Sequence, residues 1–312
     1  MTTSIRNSLS FEDLIRAYIE LTKPLIIILL VFTCVTSMVV AANGFPSPEI
    51  LFFTILGGIL SSGGSSAINQ YIDREMDSKM TRTSRRPIPS GRISPMNALI
   101  FGVALIAWAV LLLGVFVNWL AAGLAFAGAV YYVVIYTLIL KRNTVVNIVI
   151  GGGAGAMPVL VGWAAATGTV EPQAFLLFTI VFYWTPPHFW ALAIMVNKDY
   201  AAVNVPMMPV ARGEKVTRYQ ILFYSVQLVL ITLLPALMLL LPQAPVMLEW
   251  IYLVSALLLG GGLIWMSVKL IKVADKATAR VVYKYSSMYL AMLFLAMIFD
   301  RLIMGLIRTI EL

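Results

Sequence analysis

Asn69, Asp73 and Asp77 stand at intervals of four residues. On an α-helix that spacing puts them on one face, each about 6 Å beyond the last. The stretch that holds them, Asn69 to Arg92 (NQYIDREMDSKMTRTSRRPIPSGR), also carries six basic residues. Hard oxygen donors stacked beside a basic loop suit a divalent cation such as Mg²⁺ carrying a phosphate group. Lys79, Arg82 and Arg86, with Lys198 much further along, are the candidates for gripping phosphate oxygens. For Arg85, Arg92, Arg212, Lys215 and Arg218 a role in membrane topology is the plainer reading.

A second polar patch runs Trp184-Thr185-Pro186-Pro187-His188, then Phe189 to Val196, then Asn197-Lys198-Asp199-Tyr200. His188 is the chain's one histidine, which rules out a His cluster within one chain. It lies inside an apolar segment, where an ionisable side chain is a functional candidate by default. Its alternative is a neutral ring hydrogen-bonded across a helix contact. If the helix continues to Asp199, about three turns on, the two share a face. Paired prolines free carbonyls and bend such a helix, which is tolerated where protein or a cavity covers the break.

These patches need elements to hold them. Hydrophobic residues make up 61% of the 312 and charged ones 12%, so the chain reads as an all-α polytopic membrane protein. Cys34, the only cysteine, excludes an intrachain disulfide and fits a small packing residue. Residues 1–21 form a cytoplasmic N-terminal segment, amphipathic through Leu14, Ile15, Tyr18 and Ile19, with Ser10 as N-cap. It lacks the Arg-rich character of a transit peptide, and Pro24–Ala42 is too long for a signal-peptide core.

Charges divide the rest into hairpins. Only Glu49 falls between Lys23 and Asp73, nothing between Arg92 and Lys141, only Glu171 between Arg142 and Lys198, and only Glu249 between Arg218 and Lys269. Each interval holds two spans of roughly 20 residues, and a last span runs from about Tyr285 to Leu306. Nine transmembrane helices result, in one domain over 22–312. The loops on the N-terminal side carry 20 of the 22 Lys and Arg, leaving Arg301 and Arg308 opposite. That bias puts the N-terminus in the cytoplasm, the C-terminus outside, and the net charge of +8 against a membrane, not nucleic acid. Trp119, Trp163 and Trp250 fall where an outer aromatic belt would stand. Small-residue runs at Gly57 to Ser66, Gly151 to Gly155 and Gly260 to Gly262 suit close helix packing, or room for a bulky ligand. Loop parity sends both polar patches to one side of the bilayer.

Asn69-x-x-x-Asp73-x-x-x-Asp77 with Met80-x-Arg82-Thr83-x-x-Arg86-Pro87 resembles the first aspartate-rich motif of the intramembrane (UbiA-type) prenyltransferases. Thr22-Lys23-Pro24, Lys141-Arg142-Asn143-Thr144, Pro187-His188-Phe189-Trp190, Lys198-Asp199-Tyr200 and Val205-Pro206-Met207-x-Pro209 are similar to its heme-farnesylating branch, the protoheme IX farnesyltransferases. The resemblance covers nearly the whole chain and implies a nine-helix bundle around a central cavity open to the cytoplasmic side. It implies transfer of farnesyl from farnesyl diphosphate to a vinyl group of protoheme IX, giving heme O and diphosphate, in the inner membrane of a bacterium. Heme is then a substrate, with one or two Mg²⁺ ions as cofactor and heme A synthase or a terminal oxidase assembly as partner. Carried onto this sequence, the catalytic set is Asn69, Asp73, Asp77, Lys198 and Asp199. Lys79, Arg82, Arg86, His188 and Tyr200 bind substrate, and Asn69, Asp73, Asp77 and Asp199 hold metal. Quinone-pathway relatives carry a run of aspartates where His188 stands, which favours heme over a quinone precursor or a chlorophyll-type acceptor. A transporter would need polar groups through the bilayer, and the outer halves of these helices are almost uncharged apart from Asp300 and Arg301.

Overall fold

The computed structural model describes residues 10–237 and 247–310, with side chains to residue 307. Residues 1–9 of the amphipathic segment, and the side chain of Arg308 in the charge count, lie outside what is described. A surface helix α1 (Phe11–Thr22) is followed by α2 (Pro24–Ala42), α3 (Pro48–Lys79), α4 (Pro95–Phe116) and α5 (Trp119–Val130). A π-helical segment (Tyr131–Leu140) and the short α6 (Lys141–Asn143) continue α5. Then come α7 (Asn147–Thr167), α8 (Pro172–Met195), the short α9 (Asn197–Ala202) and α10 (Met208–Ala211), α11 (Gly213–Leu237), α12 (Trp250–Val273) and α13 (Lys276–Ile310). Nine of the described helices are long and apolar enough to span a bilayer, so this is an integral membrane protein. The last begins nine residues before the expected Tyr285.

Side-chain caps start several helices. Ser10, Ser47, Ser94 and Asn118 each accept the N–H three residues on, and Pro fills the first helical position after Ser47 and Ser94. α1 divides its apolar residues. Leu14, Ile15 and Ile19 face outward, as a helix lying on the membrane surface requires, while Ala17, Leu21 and Tyr18 pack under the Arg92 loop. Arg92 pins that loop to α1 through Glu20 at 2.7 Å.

Small residues do both jobs the sequence left open. A Cβ on Gly162 would lie 2.1 Å from the Cys34 carbonyl oxygen, and one on Gly64 would lie 2.5 Å from that of Gly102. These glycines set the close approach of α2 to α7 and of α3 to α4. Gly155, by contrast, has nothing within 4 Å and lines a cavity. Trp119 and Trp250 are exposed as an interfacial belt demands, but Trp163 is only 4% exposed. Its ring is part of the core that α7 and α8 build, so it does not belong to the belt.

Candidate active site

α3 runs unbroken to Lys79, so Asn69, Asp73 and Asp77 do share a face, and all three are buried. Each has a partner from elsewhere in the chain. Lys23 Nζ donates to Asn69 Oδ1 at 2.9 Å; Asn69 Nδ2 donates to Asp73 Oδ2 at 2.9 Å and to Thr137 Oγ1 at 3.1 Å. Asp73, fully enclosed, takes Lys141 on one oxygen and Arg142, at 3.2 Å, on the other. Asp77 pairs with Arg86 at 2.6 Å. A carboxylate this deep without a cation would cost several kcal/mol.

Local backbone conformation delivers these partners. Lys23 is the joint between α1 and α2 and has left-handed backbone angles (φ 56°, ψ 63°). That conformation costs a non-glycine residue roughly 1–2 kcal/mol, and it turns the chain so that the ammonium reaches Asn69. In the π-helical segment Thr137 Oγ1 donates to the Tyr132 carbonyl, and the Lys141 N–H to that of Tyr136. π turns are rare and recur at functional sites. This one brings Thr137 against Asn69, Lys141 against Asp73, and Tyr132 and Tyr136 to the cavity wall. A Cβ on Gly151 would lie 2.3 Å from the Tyr136 ring, so that glycine makes room for it.

The cavity is about 820 Å³, in the upper part of the range for small-molecule sites. Lys23, Asn69, Asp77, Arg82, Arg86 and Lys141 form its polar wall. Ser61, Ser65, Gly58, Gly152 and Gly155, with Ile27, Leu30 and Val161, line the apolar remainder. Positive charge is in surplus at the polar wall. Burial, and then Arg86 and Lys141, bring the Lys23 ammonium down to about 7, against the opposing pull of Asp77 and Asp73. Arg82 has no carboxylate within ion-pair distance of its guanidinium among the described residues. A wall with this surplus suits an anion. Tyr200, buried on the same cavity, has its phenol pushed up chiefly by burial and stays a neutral hydrogen-bonding group.

The second patch meets the first. Asp199 accepts the Arg82 backbone N–H at 3.3 Å, and Tyr200 and Asp77 line one cavity. The expected shared face of His188 and Asp199 is not there. α8 stops at Met195, Val196 leaves helical geometry (φ −113°, ψ 30°), and α9 starts afresh at Asn197. His188 lines the cavity from α8, which carries Pro186 and Pro187 without interruption. Lys79 and Lys198 are exposed, and neither lines the cavity. Asp199 does not line it either.

Among the described residues no three His, Cys, Asp or Glu side chains gather as a ready metal cage. That suits Mg²⁺, which keeps several waters and takes one or two carboxylates plus substrate phosphates. Asn69 and Asp77 on the wall, with the enclosed Asp73 one turn from each and between them, supply oxygen donors of that kind.

Residues 30–297 match the UbiA prenyltransferase family over most of the chain. The chain belongs to that family. A relative from Gloeothece citriformis, named protoheme IX farnesyltransferase, is 45% identical over 302 residues, covering 96% of this chain and 92% of its own. One of the same name from Roseiflexus castenholzii is 50% identical over 289 residues, covering 93% of this chain. The chain spans only about half (53%) of that protein's length. The UbiA fold is also seen in a solved digeranylgeranylglyceryl phosphate synthase (TM-score 0.74, 20% identity, 93% of this chain and 99% of the other). A UbiA homolog from Archaeoglobus fulgidus bound to DMAPP and Mg²⁺ gives 0.62 at 14% identity over 90% of this chain and 98% of its own.

Sequence reasoning gave Lys23, Lys141 and Arg142 no role at the site, although all three sit in quoted motifs. Lys141 and Arg142 are the only charges between Arg92 and Glu171, which was the available signal. Thr137, which meets Asn69, offered none.

Proposed function

We propose that this chain transfers a farnesyl group from farnesyl diphosphate to a vinyl group of protoheme IX, giving heme O and diphosphate. One observation carries the reading: a single cavity joins an anion-binding wall to an apolar chamber and to a lone histidine. The names of the relatives support the choice of prenyl donor and acceptor.

The diphosphate lies against Lys23, Arg82, Arg86 and Lys141, whose surplus charge compensates the departing group. Asn69, Asp73 and Asp77 would hold Mg²⁺, with Asp199 the candidate ligand should a second ion bind. Magnesium, when bound, neutralises the diphosphate and so makes it a better leaving group. Lys79 and Lys198, exposed outside the cavity, add positive charge that attracts the anionic substrate. Apolar walls take up the farnesyl chain and exclude water while the allylic cation forms. The vinyl carbon then bonds to the farnesyl carbon that lost diphosphate. Water adds to the resulting cation and gives up a proton, leaving a hydroxyethylfarnesyl substituent. Tyr200 and His188 bound the chamber that receives the two substrates.

Residues 22–312 act as one prenyltransferase domain in the bacterial inner membrane. The N-terminus is cytoplasmic and the C-terminus outside, so the polar wall opens to the cytoplasm. Heme A synthase or a terminal oxidase assembly would consume the product. The test is competition with labelled farnesyl diphosphate and Mg²⁺ between protoheme and a hydroxybenzoate quinone precursor. Label in the porphyrin alone is expected; label in the hydroxybenzoate instead overturns the choice of acceptor.

A further inference from the structure

His188 is built into its wall more tightly than packing requires. Its Nδ1 lies 2.8 Å from Ser286 Oγ, and Ser286 Oγ lies 2.8 Å from the Tyr283 carbonyl oxygen. A serine hydroxyl has one proton. The Tyr283 carbonyl can only accept; with the Ser286 proton on it, Ser286 Oγ accepts from Nδ1–H. The neutral ring then carries its free lone pair on Nε2. Among the described residues Nε2 makes no hydrogen bond, and it is not among the side-chain nitrogens sealed away without a partner. His188 lines the cavity, so Nε2 is the atom it offers there. The ring is also clamped between two aromatic faces. Trp184 stacks at 4.4 Å and 22°, and Tyr283 at 4.6 Å and 29°. Trp184 Nε1 donates to the Ser286 carbonyl at 2.6 Å, so α8 and α13 hold each other in this register.

A buried packing position needs neither a fixed tautomer nor an oriented lone pair. A metal ligand needs both, and the usual way to supply them is a hydrogen bond from the remote ring nitrogen to an oxygen. The geometry points to His188 Nε2 as an axial ligand to the iron of the acceptor porphyrin, with Ser286 and Tyr283 as positioning residues. This rests on the reading of the acceptor as heme. It adds that the site recognises the acceptor through its metal, so a porphyrin without iron loses the main contact.

The purified full chain in detergent is titrated with ferric protoheme and, separately, with metal-free protoporphyrin IX, and label transfer from farnesyl diphosphate is followed in parallel. Wild type gives a histidine-ligated absorption and electron paramagnetic resonance signature and binds the iron porphyrin at least tenfold more tightly. His188→Ala abolishes the signature and the preference, and added imidazole restores the signature. Ser286→Ala keeps iron bound, weakened about tenfold, but lowers the iron–histidine stretching frequency of the ferrous complex by resonance Raman, because the remote hydrogen bond is lost. If His188→Ala fails to fold, that Raman shift decides. An unchanged signature in His188→Ala, or an unchanged frequency in Ser286→Ala, overturns the ligand assignment even where wild type farnesylates heme. A wild type that neither binds nor labels any porphyrin overturns the reading of the acceptor, and the assignment with it.

Discussion

Replacing Asp73 by Asn removes a charge that the fold has already compensated. The carboxylate has no solvent exposure, Lys141 is 13% exposed, and Arg142 is 47% exposed. Losing the carboxylate leaves Lys141 as an uncompensated buried cation, which costs about 3–5 kcal/mol. Arg142 is half in water and adds at most about 1 kcal/mol. The single variant should therefore stay folded but melt on the order of 10 °C lower. Adding Lys141→Met removes the orphaned cation, and most of the lost stability should return. Activity should not return, because the proposed Mg²⁺ site still lacks that carboxylate. Thermal unfolding in detergent, followed by tryptophan fluorescence, reads the stability. Chromatography of the porphyrin product reads turnover. A double variant no more stable than the single one would refute the buried-pair argument. Wild-type turnover by either variant at limiting Mg²⁺ would refute the role of Asp73 at the metal.

Gly162→Ala should destabilise the fold by about 1–3 kcal/mol, since its new methyl meets the Cys34 carbonyl oxygen, while Gly155→Ala should leave melting unchanged; equal effects would show that the two glycines do not differ in role. Lys23→Met should raise KM for farnesyl diphosphate roughly tenfold to a hundredfold, the worth of one charged hydrogen bond, with heme binding unaltered; an unchanged KM would remove Lys23 from the anion site. Chelation by EDTA should stop turnover, and excess Mg²⁺ should restore it. Full activity in chelator would refute metal dependence.

Much of this molecule was legible in the chain because charges are scarce and a bilayer punishes them. The uncharged intervals gave the spans, and loop parity brought Asp73 and Asp199 to the same end, where Asp199 now meets the Arg82 backbone. Four-residue spacing gave the shared face of Asn69, Asp73 and Asp77, since α3 has no glycine or proline from Asn69 to its end at Lys79. What was missed depends on contacts between distant segments. Lys141 and Arg142 stand in a family motif with no role legible from spacing, because their partner lies 68 and 69 residues back. His188 showed as a functional candidate, whereas Ser286, 98 residues away and chemically ordinary, gave no sign of orienting it. Trp163 has the type and position of a belt residue, yet packing places it in the core. The end of α8 at Met195 carries no glycine or proline signal, so the register of Asp199 could not be read from spacing.

The most direct measurement is the mass of the porphyrin after the purified chain is incubated with protoheme, farnesyl diphosphate and Mg²⁺. The account predicts protoheme heavier by one farnesyl and one hydroxyl group, formed by wild type and not by Asp73→Asn. Unmodified protoheme from folded, heme-bound wild type would contradict it.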